Sequence, residues 1–248
     1  MQIRRKDDIK QLGTILSIWA HPDDESFTCA GLLRMAVENG QQVICVTATR
    51  GEKGVQDEAR WPAARLGEIR EQELEQALQI LGITKHHWLG YADGTCQDVP
   101  EQEAVAKIAD LIKQYQPDTI ITFGPDGLTG HTDHASVSRW TDQAVDSAKS
   151  SKVAVYQVVQ TEAAYERMRK ADEELNIFFN TDKPPLVDEA ACDILLNLEG
   201  EVLDKKYDCL RVQPSQMEAM LTRFDRNYIC NMLRTESFRK GQFRSVVS

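Results

Sequence analysis

The chain has 248 residues, 42% of them hydrophobic, which suffices for a packed core and excludes a disordered chain. Its formal net charge of −10 argues against a nucleic-acid partner, which requires a basic face. The six cysteines (Cys29, Cys45, Cys96, Cys192, Cys209 and Cys230) form no C-x-x-C pair, the pattern of separate reduced thiols in a cytoplasmic protein.

The opening MQIRRKDDIKQLG has charges but no apolar run of secretory length, and no later stretch approaches the ~20 apolar residues that cross a bilayer. No membrane insertion is expected. Short β-branched runs then alternate with longer helical patterns. Strands are predicted at 15–20, 42–49, 87–91, 119–123 and 153–159, and helices near 24–39, 65–81, 101–115 and 134–148. Gly40 and Gly82 stop two of the helices where a C-cap belongs. This alternation predicts right-handed βαβ units: an α/β fold with a mostly parallel, Rossmann-like sheet and helices on both faces. In the last third, 181–186 with its Pro184-Pro185 reads as loop, 201–210 and 215–225 read as helices, and the final residues give no decisive pattern. No repeat or composition shift marks a boundary, so 1–248 is expected to form one domain.

In open α/β sheets ligands bind beyond the carboxyl ends of the strands. Three of the five histidines fall there. Ala20-His21-Pro22-Asp23-Asp24-Glu25 follows the first strand, and Gly130-His131-Thr132-Asp133-His134 follows the fourth strand and its loop. Within each motif the outer pair, His21 with Asp24 and His131 with His134, is three apart, a spacing that shares one face on a helical turn. One imidazole and one carboxylate from the first motif, with one imidazole from the second, make the three-ligand arrangement of a catalytic zinc site. Asp23 is then left beside the metal, where a general base is needed. Taken singly, each motif would read as a helix N-cap or a solvated helix start. Their joint placement at one sheet edge favours a metal site. His86 and His87 lack such support and read as structural or exposed.

The paired motifs resemble the signature of the PIG-L/LmbE-like zinc-dependent N-deacetylases, A-H-P-D-D-E followed about a hundred residues later by G-H-x-D-H. The resemblance continues through Arg70-Glu71-Gln72-Glu73 to Leu81-Gly82, through Tyr91-Ala92-Asp93-Gly94, and through the approach from Pro117 to Gly130. It implies that His21, Asp24 and His134 bind Zn2+, with Fe2+ as an alternative occupant, because selectivity depends on metal availability as well as ligand type. It implies Asp23 as general base and His131 as the group that steadies the oxyanion or protonates the leaving amine. Asp133 would orient His131 or His134, and Arg70 and Asp93 would contact sugar hydroxyls. The expected partner is a small-molecule amino-sugar conjugate, and a homo-oligomer is compatible with the sequence. Two positions depart from the family: Gln213 stands where histidine is common in a later segment, and Thr129 where some sugar deacetylases carry tyrosine. Both are expected near the substrate.

Arg50, in the loop Thr49-Arg50-Gly51-Glu52-Lys53-Gly54 after the second strand, could hold a carboxylate or phosphate of the substrate in a two-pronged contact; the alternative is a pair with Glu52 or Asp57. Two rival functions use the same residues. A 2-His-1-carboxylate iron oxygenase would leave Asp23 without a role. A non-catalytic metal or sugar binding module would not need Asp23 and all three ligands, and all are present.

Overall fold

The computed structural model describes residues 2–148, 152–178, 180–181 and 184–241. The strands are β1 (Ile15–Trp19), β2 (Val43–Thr49), β3 (Lys85–Tyr91), β4 (Thr119–Phe123), β5 (Ala154–Val158), β6 (Gln160–Thr161), β7 (Leu186–Val187), β8 (Ile194–Asn197) and β9 (Thr235–Lys240). The helices are α1 (Asp24–Thr28), α2 (Ala30–Glu38), α3 (Ala63–Leu81), α4 (Glu101–Tyr115), α5 (Gly127–Gly130), α6 (Thr132–Ser147), α7 (Glu162–Leu175), α8 (Gly200–Arg211), α9 (Pro214–Arg223) and α10 (Arg226–Leu233).

Seven strands form one sheet in the order β3-β2-β1-β4-β5-β9-β8. The first five are parallel, and β9 and β8 join antiparallel. Every residue of β1, β2 and β4 is buried, as predominantly apolar strands covered on both faces must be, whereas in the edge strand β3 only Leu89 is. The order explains the two helical layers. The chain steps one way from β1 to β3 and then reverses to β4 and β5, so right-handed crossovers put α2 and α3 on one face and α4 and α6 on the other. Accordingly α4 packs against α6, while α2 and α3 both pack against α8. The reversal falls between β1 and β4, and both histidine motifs follow those two strands. That is the topological switch point, where such sheets bind ligands.

Several expectations need correction. The predicted helix at 24–39 is broken at Cys29 (φ −143°, ψ 10°) into α1 and α2. The segment predicted as loop at 181–186 reaches the short strand β7 at Leu186; Asp182 and Lys183 lie outside the described residues, as do 242–248 of the undecided C-terminus and Met1 of the opening segment. The antiparallel pair β8–β9 was not legible. A second apolar cluster, built by α7 to α10 around Met217, Met220, Met232 and Phe224, lies beside the main core. Among the described residues no helix is long and apolar enough to cross a membrane.

Candidate active site

The turn after β1 folds back on itself. The Asp24 carboxylate accepts the N–H groups of Ala20 (3.1 Å) and His21 (2.8 Å), which fixes its orientation at the strand end. His21 Nε2 lies 3.1 Å from Asp93 Oδ1 and 3.2 Å from Asp133 Oδ2. Both carboxylates also accept backbone N–H groups, Asp93 from Lys53 and Asp133 from Gly94 and Cys96, so both are built as anionic acceptors. The His21 proton therefore belongs on Nε2, and Nδ1 presents its lone pair. In His134, Nδ1 is 2.9 Å from the Gly127 carbonyl, which can only accept, so here the lone pair is on Nε2.

These lone pairs face each other. His21 Nδ1 and His134 Nε2 are 3.1 Å apart, and the Asp24 carboxylate is 3.7 Å from the first and 3.5 Å from the second. Two lone pairs and an anion at this separation repel unless a cation sits among them. His21 Nδ1 faces one Asp24 oxygen and His134 Nε2 the other, so the three side chains converge on a place that a cation bound by nitrogen and oxygen, such as zinc, would suit. Without one, a proton takes the role. Burial lowers the His21 pKa, but the hydrogen bonds to Asp133 and Asp93 and the Asp24 charge outweigh it and raise the pKa to about 10. Burial holds His134 down to about 4.

Two other groupings come close enough to bind a metal, His21 with His131 and His134, and His21 with Asp93 and Asp133. The second is accounted for by the shared Nε2 proton. In the first, His131 Nδ1 accepts the Asp133 N–H at 3.1 Å, which leaves the proton on Nε2 and makes His131 a donor. Burial, aided by the nearby His21, lowers its pKa and keeps it neutral.

Asp23 occupies a strained position, with φ 109° and ψ −28°, a region few non-glycine residues enter and one that costs of order 1–3 kcal/mol. Arg70, buried in α3, holds it there. One guanidinium nitrogen donates to the Gly51 carbonyl (2.7 Å), and the other to the Pro22 carbonyl (2.5 Å) and the Asp23 carboxylate (3.0 Å). From the opposite side Glu25 accepts the Asp23 N–H at 3.3 Å. Burial pushes the Asp23 carboxyl up to about 7, against the pull of Arg70 and with a push from Asp24. Asp23 is thus set apart from the convergence of His21, Asp24 and His134 and lies next to it.

A cavity of about 340 Å³ opens over this centre. His21, Asp23, Asp24, Arg70, Asp93, His131 and His134 line it, and so does Thr129. Asp133 sits behind it with no exposure. The expectation for Asp133 is corrected: its carboxylate orients His21, because at the start of α6 it points toward the backbone N–H groups of Gly94 and Cys96. Asp93, expected on sugar hydroxyls, spends one oxygen on His21. Arg50 does not reach the cavity. It pairs with Glu71 at 2.7 Å and stacks over Trp88 at 4.9 Å, in place of the expected pair with Glu52 or Asp57. Gln213 is also corrected: it is buried behind α1, donating to Ser26 Oγ at 2.8 Å, and Ser26 in turn donates to Glu25. His86 and His87 bond Thr47 and Tyr115 and are structural. Sequence reasoning missed Glu25, Gln56, Gln216 and an apolar wall that includes Leu128, Met168 and Met232. For the wall the sequence carried no signal, since apolar residues at helical spacing read as core.

The family model described as PIG-L, GlcNAc-PI de-N-acetylase, matches residues 16–145, just over half of the chain and both histidine motifs. A 1D-myo-inositol 2-acetamido-2-deoxy-alpha-D-glucopyranoside deacetylase from Mycobacterium sp. (strain JLS) is 28% identical over 228 residues, covering 82% of this chain and 74% of that protein. Among solved structures, the N,N'-diacetylchitobiose deacetylase from Pyrococcus horikoshii is 22% identical with a TM-score of 0.63, covering 95% of this chain and 86% of that one. A 4-carboxy-2-hydroxymuconate hydratase from Pseudomonas putida has the same fold, at 16% identity and a TM-score of 0.58, covering 95% of this chain and 99% of that one. The fold therefore admits more than one chemistry, and function must be argued from the site.

Proposed function

Because the chain belongs to the PIG-L family of de-N-acetylases, we propose that it is a metal-dependent hydrolase that removes an N-acetyl group from an N-acetylglucosamine-type conjugate. The observation that carries this reading is the division of labour between adjacent carboxylates. Asp24 converges with two histidine lone pairs, whereas Asp23 stands free of them with its carboxyl raised to about 7. The Mycobacterium relative and the Pyrococcus structure are both named as deacetylases of 2-acetamido sugars, which supports the substrate class.

Zinc, held by His21, Asp24 and His134, would supply Lewis acidity to the attacking water and the amide carbonyl. Asp23 takes the proton of that water, and Arg70 keeps its carboxylate aimed into the cavity. His131, neutral and with its proton on Nε2, donates to the oxygen that gains charge as the carbonyl becomes tetrahedral. Asp23, now protonated, is the better acid for the leaving amine, since His131 begins without a second proton. Arg70 and Asp93 keep polar atoms at the cavity wall for sugar hydroxyls.

We further propose residues 1–248 as one domain, testable by a single unfolding transition, and the cytoplasm as compartment, on the strength of six thiols of which five are buried. The functional test is free-amine release from a panel of N-acetylglucosamine conjugates, with the metal removed by chelator and then restored as zinc, or as Fe2+ without oxygen. Activity should vanish and return, with no need for O2. Full turnover in metal-free protein would overturn the reading.

A further inference from the structure

The cavity is not uniform, and the sheet order explains why. On the β2–β3 side of the metal ligands its wall is polar: Gly54 and Gln56 follow β2, Arg70 comes from α3, and Asp93 follows β3. On the β4–β5–β9 side Leu128 after β4, Val158 at the end of β5, Ala164 and Met168 from α7, Phe178 after that helix and Met232 before β9 supply a largely apolar wall, interrupted by Thr129, Gln160, Thr235 and Ser237. The charge at this end is already used. Glu236 pairs with the buried Lys206 at 2.7 Å and accepts the N–H groups of Gly31 and Leu32. An acetyl methyl needs no wall of this extent.

The geometry points to an acyl-chain subsite: the apolar wall takes an N-acyl group longer than acetyl, such as butanoyl or hexanoyl, on the amino sugar. This rests on the hydrolase reading above. Sugar hydroxyls belong with the polar wall, which puts the amine nitrogen on that side of the metal ligands and directs the acyl carbon chain to the other. The reaction balances as before: water adds to the amide, the C–N bond breaks, and the chain leaves as a carboxylate beside the free amine. Met168 and Met232 are unbranched and polarizable, and they belong to or pack on the second apolar cluster, so the wall can adjust to chains of different length.

The experiment measures kcat/KM of the zinc-loaded protein on N-acetyl-, N-butanoyl- and N-hexanoyl-glucosamine and on the octyl glycoside of N-acetylglucosamine. Calorimetry of the same compounds on Asp23→Asn protein runs alongside. Each methylene buried should raise kcat/KM and affinity about fourfold, and Ala164→Phe should abolish that gain. Flat values across the acyl series with N-acetylglucosamine still cleaved, or a gain confined to the octyl glycoside, would overturn the subsite and leave the hydrolase reading standing. Chain-dependent affinity without turnover of any compound would uphold the subsite and overturn the hydrolase.

Discussion

The guanidinium of Arg70 bridges the Pro22 carbonyl and the Asp23 carboxylate, at 2.5 Å and 3.0 Å from one nitrogen, so a single buried side chain fixes both the backbone and the charge of the proposed general base. The strained φ of 109° at Asp23 is held by this bridge and by Glu25 on the other side. Arg70→Lys should therefore lower kcat more than it raises KM, since an ammonium cannot make the forked contact. It should also move the acid limb of the pH profile upward, because Arg70 lowers the Asp23 pKa. An unchanged limb would mean that Arg70 only supports the loop.

Asp23→Asn should retain about one zinc per chain while losing roughly 10²–10⁴-fold in kcat. Asp24→Asn should lose metal, because its carboxylate faces both histidine lone pairs. Metal content and turnover, measured on both variants, separate the two roles. Equal zinc loss in both would sink the assignment.

Metal removal should make stability depend on pH in a definite direction. In stripped protein the His21 pKa is raised from 6.5 to about 10, so its contribution is complete below pH 6.5 and disappears as pH rises toward 10. A bound cation replaces that proton. The Tm difference between zinc-loaded and stripped protein should widen from pH 6.5 to 9, and a constant difference would contradict the paired lone pairs of His21 and His134.

Lys206 and Glu236 form an ion pair at 2.7 Å with side chains 1% and 0% exposed. Among the described residues, Lys206→Met leaves a buried carboxylate with only the Gly31 and Leu32 N–H groups as partners. The expected loss is about 3–5 kcal/mol, read as a lower urea midpoint at an unchanged m-value.

Arg50→Ala should leave KM unchanged for both neutral and anionic conjugates, since the side chain is turned to Glu71 and Trp88. With the two side chains 41% and 32% exposed, the stability cost should stay within about 1 kcal/mol. A selective KM increase on an anionic conjugate would restore Arg50 to the site.

What the sequence determined by itself was the local chemistry. Short runs rich in β-branched and apolar residues mark β1, β2 and β4, and His21, Asp23, Asp24 and His134 stand after strands of one predicted sheet edge. Tertiary structure alone decided everything that depends on partners distant in sequence. Asp133 serves His21, 112 residues away, because sheet order, which no single strand encodes, brings the loop after β3 and the start of α6 against β1. Arg50 faces Glu71 across a loop and a helix, and its charge alone could not say which acid it would meet. The antiparallel pair β8–β9 and the apolar wall of the cavity were hidden for the same reason. Met168 and Met232 read as core in any helix, and only the packing of α7 and α10 beside His21, Asp24 and His134 turns part of that core into a cavity wall.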